Sequence, residues 1–482
     1  FQESMMIRVV VAAMAAGVAS GFFPIVPSFP ATTTQLRPTR LHATTTPDSL
    51  SFLTEAKTRE IAERYGTPCY VYDAATLEAR AREALAFPQR FGLTVRYAMK
   101  ACPSGAILKL FDALGLHFDA SSTHEAQRAM RAGIKPEKIS LSTQQLDADF
   151  VDLVTQGVTV NACSLDQLRA YGDAFPGGEV GVRFNPGIGS GGTSKTNVGG
   201  PGSSFGIWHG LKEEVVAIAE AAGLTLTRVH THIGSGSDPA VWSKTAKLSI
   251  DLCGFLGPSV TTLNLGGGYK VKRTASEKAT DLQVIGQPVA EQLQTYADTT
   301  GTQLHLEVEP GTFLVANAGS LVSTVQDVVT TNTQSTEPGG RSFLKLDCGM
   351  TDILRPSLYG SQHPIVLVPS EASSSSLAEP HSYVVVGHCC ESGDLLTPAP
   401  DEPDTIAERT TAVQAHAGDL AVIESAGAYC AAMSAKGYNS FPEPPEVILA
   451  KDGHTHLIKR RSDLDQLLQN EVSDFDSSTL LS

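Results

Sequence analysis

Five places in this chain set a reactive side chain beside a turn. Tyr97-Ala98-Met99-Lys100 puts an amine directly after a short apolar run. Its small and apolar neighbours are expected to lower its pKa and free it as a nucleophile toward a carbonyl. His230-Thr231-His232 ends another strand-like run. There an H-x-H pair suits a metal, or one imidazole can stack on an aromatic cofactor, and a hydrogen-bonded core histidine is the plainer alternative. A metal would need ligands from other strand ends. Asp119 and Glu309 are at hand, but no second histidine pair follows a strand, so no metal is expected. Gly266-Gly267-Gly268 after Leu265 either offers unhindered N–H groups to a phosphate or makes a tight turn. Glu309-Pro310-Gly311 follows an apolar strand, which buries a carboxylate that then needs a cationic partner such as a protonated pyridine nitrogen. Cys389-Cys390-Glu391-Ser392-Gly393-Asp394 and Gly427-Ala428-Tyr429 gather a thiol, acids and a phenol among glycines. Taken singly, each of these features is more often structural than catalytic.

The elements around them share a rhythm. Strand-like runs recur at Val95-Arg96-Tyr97-Ala98, His117-Phe118-Asp119, Ile139-Ser140-Leu141, Gly181-Val182-Arg183-Phe184, Arg228 to His232, Thr262 to Leu265 and Leu304 to Glu307, with helical stretches between several of them. This pattern predicts an α/β fold built on a β/α barrel. Chemistry in such a barrel gathers where the strands end, and Lys100, Asp119, His232, the three glycines and Glu309 all fall there. Before the barrel, residues 50 to 65 read as an amphipathic helix and Thr67 to Tyr72 as a strand. After about residue 320 the segments turn β-rich, which predicts a second, mainly β domain. Pro369 to Pro380 and Thr397 to Asp404 read as exposed loops.

The whole chain has 482 residues, enough for one large or two ordinary domains, and carries a net charge of -15. With 18% charged residues and no basic block it lacks the footprint of a phosphate-backbone binder, so nucleic acid is not an expected partner. No apolar run reaches the ~18 to 20 residues of a membrane span, so a soluble protein with no membrane partner is expected. The eight cysteines are scattered without CxxC spacing, which predicts reduced thiols rather than zinc ligation or disulfides. From Ser4 to Pro47 there is no acidic residue, while Arg8, Arg37 and Arg40 and many Ser and Thr recur. Met5-Met6-Ile7-Arg8, the apolar Val9 to Val18 run and Ala19-Ser20 read as a signal core and cleavage region, with translation starting at Met5 or Met6. The following Gly21-Phe22-Phe23-Pro24 resembles the bipartite presequences of algae with complex plastids, so plastid delivery is expected ahead of secretion.

Together the motifs resemble the fold-type III pyridoxal-phosphate decarboxylases, and among them the diaminopimelate decarboxylases. The likeness runs from about residue 65 to 450 and keeps seven motifs in order: YAMK, HTHIGS, LGGG, EPG, RPSLY, CESGD and GAY. It implies an alanine racemase-like (β/α)8 barrel, a C-terminal β-sandwich or β-barrel domain, and decarboxylation of meso-diaminopimelate to L-lysine, the last step of lysine biosynthesis. It further implies that Lys100 bonds pyridoxal phosphate, that His232 stacks on the ring and that Glu309 pairs with its nitrogen. Asp119 would belong to the same cofactor site. Gly266, Gly267 and Gly268 would hold the phosphate with Ser235 and Tyr429. Arg355, Tyr359 and Tyr429 would contact the substrate, Glu391 its distal amino group, and Cys390 would be the general acid, reaching into the other subunit of a homodimer with shared sites. The implied organisation is a presequence over 1–47, a segment 48–86 that joins the β domain, a barrel over 87–320, the β domain over 321–465 and a tail over 466–482.

Two departures stand out. Thr312 follows EPG where the family usually has Arg, and the glycine-rich stretch from Gly187 to Ser204 contains Lys195, a candidate compensating cation. Three readings compete with the first. A decarboxylase for ornithine, arginine or a carboxylated polyamine would have no use for contacts to a distal carboxylate. A non-catalytic regulator of this fold would not need Lys100, Glu309 and Cys390. A metal-dependent hydrolase built on His230 and His232 lacks a full ligand set.

Overall fold

The computed structural model describes residues 47–190, 198–234, 236, 238–331, 340–371, 380–472 and 480. The presequence-like segment, Lys195, Ser235 and the serine run at 373–376 lie outside them. Eight strands form a closed parallel barrel: Leu93–Ala98, His117–Ala120, Ile139–Leu141, Thr159–Ala162, Glu179–Asn185, Thr225–Thr231, Thr262–Asn264 and His305–Val308. Each pairs with the next, and the last pairs back to the first. The sequence pattern picks out seven of the eight. Thr159–Ala162 is missed because its Thr-Val-Asn-Ala run holds a single large apolar residue.

Register explains why polar residues collect inside. Arg183 lies beside His230, His230 beside Asn264, and Asn264 beside Glu307, so four neighbouring strands contribute one buried polar row. Side chains two residues further along face the same way, so His232 and Glu309 form the next layer toward the strand ends. The carboxylate of the lower row is paired below the site. Glu307 accepts from Arg96 at 2.8 Å and lies 3.2 Å from Arg228, and the two guanidinium groups hold it below the ordinary carboxylate range against the pull of burial.

A second, mixed sheet runs in the order Arg409–Thr411, His381–Val386, Ser342–Leu346, Gly319–Thr330, Cys69–Asp73, Glu446–Leu449 and Thr455–Lys459. Leu420–Ile423 also pairs with Gly319–Thr330 and carries Ile365–Val368 on its other edge. Cys69–Asp73 thus sits between strands hundreds of residues later, antiparallel to one and parallel to the other. The first helix runs Glu55–Tyr65, later than the amphipathic pattern alone gives, because the Thr54 side chain caps it by accepting the Lys57 N–H. Thr397 to Asp404 is not the exposed loop expected. Pro398–Ala399 pairs with Glu402–Ile406, and Thr397, Pro398 and Ala399 are buried. The Thr397 hydroxyl accepts the Val385 N–H at 2.9 Å, which fastens this hairpin to the sheet. All eight cysteines are free thiols, six of them buried, and no helix among the described residues is long and apolar enough to cross a membrane.

Candidate active site

Above the ends of the barrel strands lies a cavity of about 1080 Å³. Lys100, Ser121, Arg183, His232 and Gly268 line it from the barrel, and Arg355, Tyr359 and Tyr429 from the β-rich part of the chain. Lys100 sits in the single turn Met99–Ala101 directly after its strand, with Nζ 3.4 Å from the Ser121 hydroxyl. The expected lowering of its pKa is not what the structure supports. Burial pushes the amine down, but the oxygen of Tyr429 and the carboxyls of Asp119 and Glu309 push it up, and the net shift is upward. The sequence neighbours of Lys100 are apolar; its neighbours in space are not.

Glu309 is the fixed charge of the site. Its Oε1 accepts from Asn264 Nδ2 at 2.7 Å and its Oε2 lies 3.2 Å from His230 Nε2. Burial opposes the charge, yet His230 first, and with it the Lys100 ammonium, hold this carboxyl far below the usual range. Asp119 goes the other way. Burial and the nearby Glu309 push its carboxyl well above the usual range, so the two acids of the site shift in opposite directions. His230 is therefore the group that orients Glu309, the hydrogen-bonded core histidine of the two alternatives.

His232 is driven well below the ordinary histidine pKa by burial and by Arg183 and Lys100, so its ring is neutral. Its Nδ1 accepts the Gly267 N–H at 3.2 Å, which places the ring proton on Nε2. The three glycines divide their work. A side chain on Gly267 would meet the Glu309 carbonyl oxygen at 2.0 Å, and one on Gly266, at φ +68°, would meet His232 Nδ1 at 2.7 Å. Their N–H groups are already taken by His232 and, for Gly266, by Asn264 Oδ1 at 2.8 Å. Gly268 alone of the three lines the cavity, and its N–H has no acceptor among the described residues. The next residue, Tyr269, stacks on Trp242 with ring centroids 4.9 Å apart and backs the turn.

The opposite wall comes from the β-rich segments. Tyr429 has φ +56°, a strained setting for a tyrosine, and its N–H donates to the Ala101 carbonyl at 2.8 Å, so it is tied to the turn that carries Lys100. Gly427 makes this approach possible, because a side chain there would meet the Val315 carbonyl oxygen at 1.9 Å. Arg355 and Tyr359 share the short helix Arg355–Tyr359, with the guanidinium carbon 5.7 Å from the Tyr359 ring centre. Thr312 also lines the cavity.

Cys390 and Glu391 do not join this cavity. Both are exposed, on a loop anchored by Asp394, which accepts the Met350 and Cys389 N–H groups at 2.7 and 2.8 Å. The Cys390 N–H donates to Asn439 Oδ1 at 2.9 Å, and Glu391 accepts the Gly393 N–H at 3.1 Å. Sequence reasoning passed over Asn264 and Arg183. Each is a polar residue inside an otherwise apolar strand run, and that was the available signal.

Comparison with known proteins places this geometry. A model of the pyridoxal binding domain of pyridoxal-dependent decarboxylases matches residues 75–316. The diaminopimelate decarboxylase of Streptomyces coelicolor is 35% identical over 418 residues, 85% of this chain and 90% of the relative. That of Escherichia coli K12 is 33% identical over 87% of this chain and 97% of its own. A crystal structure of a diaminopimelate decarboxylase superposes with a TM-score of 0.80 at 33% identity, covering 89% of this chain and all of that one. The Helicobacter pylori enzyme complexed with L-lysine superposes with a TM-score of 0.73 at 26% identity, over 86% and 98% of the two chains. With the matching domain, near full-length relatives and a barrel mouth built around Lys100, His232 and Glu309, this chain belongs to the pyridoxal-dependent decarboxylases.

Proposed function

We propose that the protein decarboxylates meso-diaminopimelate to L-lysine and CO2, using pyridoxal phosphate. The observation that carries this reading is one cavity joining the Lys100 amine to the Arg355 and Tyr359 pair, so a reacting centre and an anion-reading end share one space. The residues present suit the cofactor. An amine and a neutral imidazole line the cavity, an ionised carboxylate lies buried beside them, and the Gly268 N–H has no acceptor among the described residues. Lys100 would hold the aldehyde carbon, His232 one ring face, Glu309 the pyridine nitrogen, and the Gly268 N–H with the Tyr429 hydroxyl the phosphate. Ser235, the remaining phosphate candidate, lies outside the described residues.

When bound, pyridoxal phosphate supplies an electron-accepting ring for the pair left on Cα as CO2 departs. The chain's own groups do the rest. Glu309, kept ionised by His230 and Asn264, would hold a proton on the ring nitrogen. The neutral His232 packs without adding charge. Arg355 and Tyr359 would bind the carboxylate that must not react, leaving the other for the Lys100 end of the cavity. Lys100 is the amine that would yield the aldehyde carbon to the substrate and take it back as the product leaves. Cys390 delivers the proton to Cα, a task for a positioned acid.

Cys390 and Glu391, exposed in this chain, support a homodimer in which each subunit's CESGD loop completes the other's cavity. The composition of Ser4 to Pro47 supports delivery to a plastid. Shared sites predict that mixing Lys100→Ala with Cys390→Ala protein restores about a quarter of the unmutated activity, since random pairing yields half heterodimers with one intact site each. Failure to recover any activity after subunit exchange has been verified would reject sharing.

The substrate is tested by CO2 release from the protein beginning near Thr44, loaded with pyridoxal phosphate and offered meso-diaminopimelate, L-ornithine, L-lysine and L-arginine separately. Release from diaminopimelate alone is expected. Preferential release from ornithine or arginine would move the protein to another basic amino acid and reject the reading above.

A further inference from the structure

Of the residues lining the cavity, two carry a buried side-chain donor with no acceptor among the described residues: Nε of Arg355 and Nε of Arg273. Arg273 comes shortly after the glycine turn. The Glu277 carboxylate accepts its backbone N–H at 2.7 Å and that of Thr274 at 3.2 Å, which fixes the segment without engaging the guanidinium. Among the described residues no carboxylate pairs with that guanidinium. Arg355 is little better provided, with Nη2 donating to the Ser361 hydroxyl at 3.2 Å.

The two cations occupy one neighbourhood. Burial first, and then the charge of Arg355, push the Arg273 guanidinium down to about 10. Buried His363 and Cys430 each feel both arginines. The Glu277 carboxylate on the same cavity wall offsets this in part but forms no ion pair with either guanidinium, so two cations sharing one cavity favour an anion between them. Thr312 lines the same cavity, and Asn317 Nδ2 donates to the Lys272 carbonyl at 3.1 Å, which ties the Arg273 segment to the stretch that begins at Thr312. Lys270 and Lys278 line the cavity too, but neither carries a buried donor without an acceptor.

We infer that Arg273 is the second substrate-reading arginine: with Arg355 it grips the carboxylate remote from the reacting carbon, supplying the cation that Thr312 does not. The inference rests on the diaminopimelate reading and deepens it. Loss of CO2 that leaves L-lysine takes the carboxylate of the D centre, so the gripped group is that of the L centre. L-Lysine keeps it, whereas 1,5-diaminopentane lacks it.

The test uses the full protein loaded with pyridoxal phosphate and measures inhibition of CO2 release by L-lysine and by 1,5-diaminopentane. Arg273→Gln should weaken L-lysine by about 10- to 100-fold, as loss of a charge-assisted contact does, while 1,5-diaminopentane changes less than about threefold. KM for diaminopimelate should rise more than kcat falls. Adding Thr312→Arg to Arg273→Gln should recover at least about tenfold of the lost L-lysine affinity, which a merely structural Arg273 would not permit. Equal weakening of both inhibitors, or L-lysine inhibition unchanged in a variant that still turns over, overturns the assignment of Arg273 alone. An unmutated protein that ignores diaminopimelate overturns instead the reading beneath it.

Discussion

Replacing Lys100 by Ala should lower kcat by at least about 10³-fold, because the variant loses both the nucleophile that holds the cofactor and the amine that releases the product. Charge is not the essential property. Lys100 sits among Tyr429, Asp119 and Glu309, and their combined pull raises its pKa, so the free amine is protonated at neutral pH. Lys100→Arg keeps a positive charge in that setting but offers no amine to a carbonyl carbon. It should be as inactive as Lys100→Ala. Borohydride treatment gives a second readout. The unmutated protein should keep its cofactor through denaturation, and both variants should release it. Either variant retaining more than a tenth of the activity would remove Lys100 from the reaction. Both should fold, since Glu309 keeps its contacts to His230 and Asn264.

The barrel was legible because reactive residues fell repeatedly just after short apolar runs, and a parallel barrel is the architecture that gathers strand ends at one mouth. The strand Thr159–Ala162 escaped because its Thr-Val-Asn-Ala run, with Val160 as its one large apolar residue, lacks the apolar signal that marked the still shorter Ile139–Leu141. What a residue does within the site was harder to read than where it stands. Gly266, Gly267 and Gly268 look alike in sequence, yet the first two have their N–H groups claimed by Asn264 and His232, and only the third faces the cavity. That division depends on which backbones pass close by, and Glu309 is 42 residues beyond Gly267 in sequence.

The sign of the Lys100 shift misled for the same reason. Local sequence supplied Ala98, Met99 and Ala101, whereas the field at the amine comes from Tyr429, Asp119 and Glu309 on three other segments. Arg273 was overlooked because a cation after a glycine turn reads as a solvated surface charge. Its significance appears only when the partners of its guanidinium are sought and Arg355 is found in the same cavity. Thr312, by contrast, was legible as a departure, since the missing arginine follows a short motif directly.

Glu309→Gln isolates the electrostatic half of the site and should lower kcat/KM by about 10²- to 10³-fold, the range set by loss of one preorganised electrostatic contact. The shape is conserved. A glutamine carbonyl still accepts from Asn264, so packing and cofactor binding should survive. What disappears is the negative charge that keeps a proton on the ring nitrogen, and without it the ring is a poorer acceptor for the electrons left on Cα. Asp119 supplies an internal check. Its carboxyl is held high first by burial and then by the charge of Glu309, so Glu309→Gln should move the Asp119 titration downward while burial keeps it above the ordinary value. Asparagine at position 264 and histidine at 230 act through Glu309, so Asn264→Ala should reproduce part of the loss in the Glu309 protein and little of it in the Glu309→Gln variant. If Glu309→Gln keeps kcat/KM within about threefold, the ring nitrogen does not depend on this carboxylate, and the buried row of Arg183, His230, Asn264 and Glu307 beneath it is scaffolding alone.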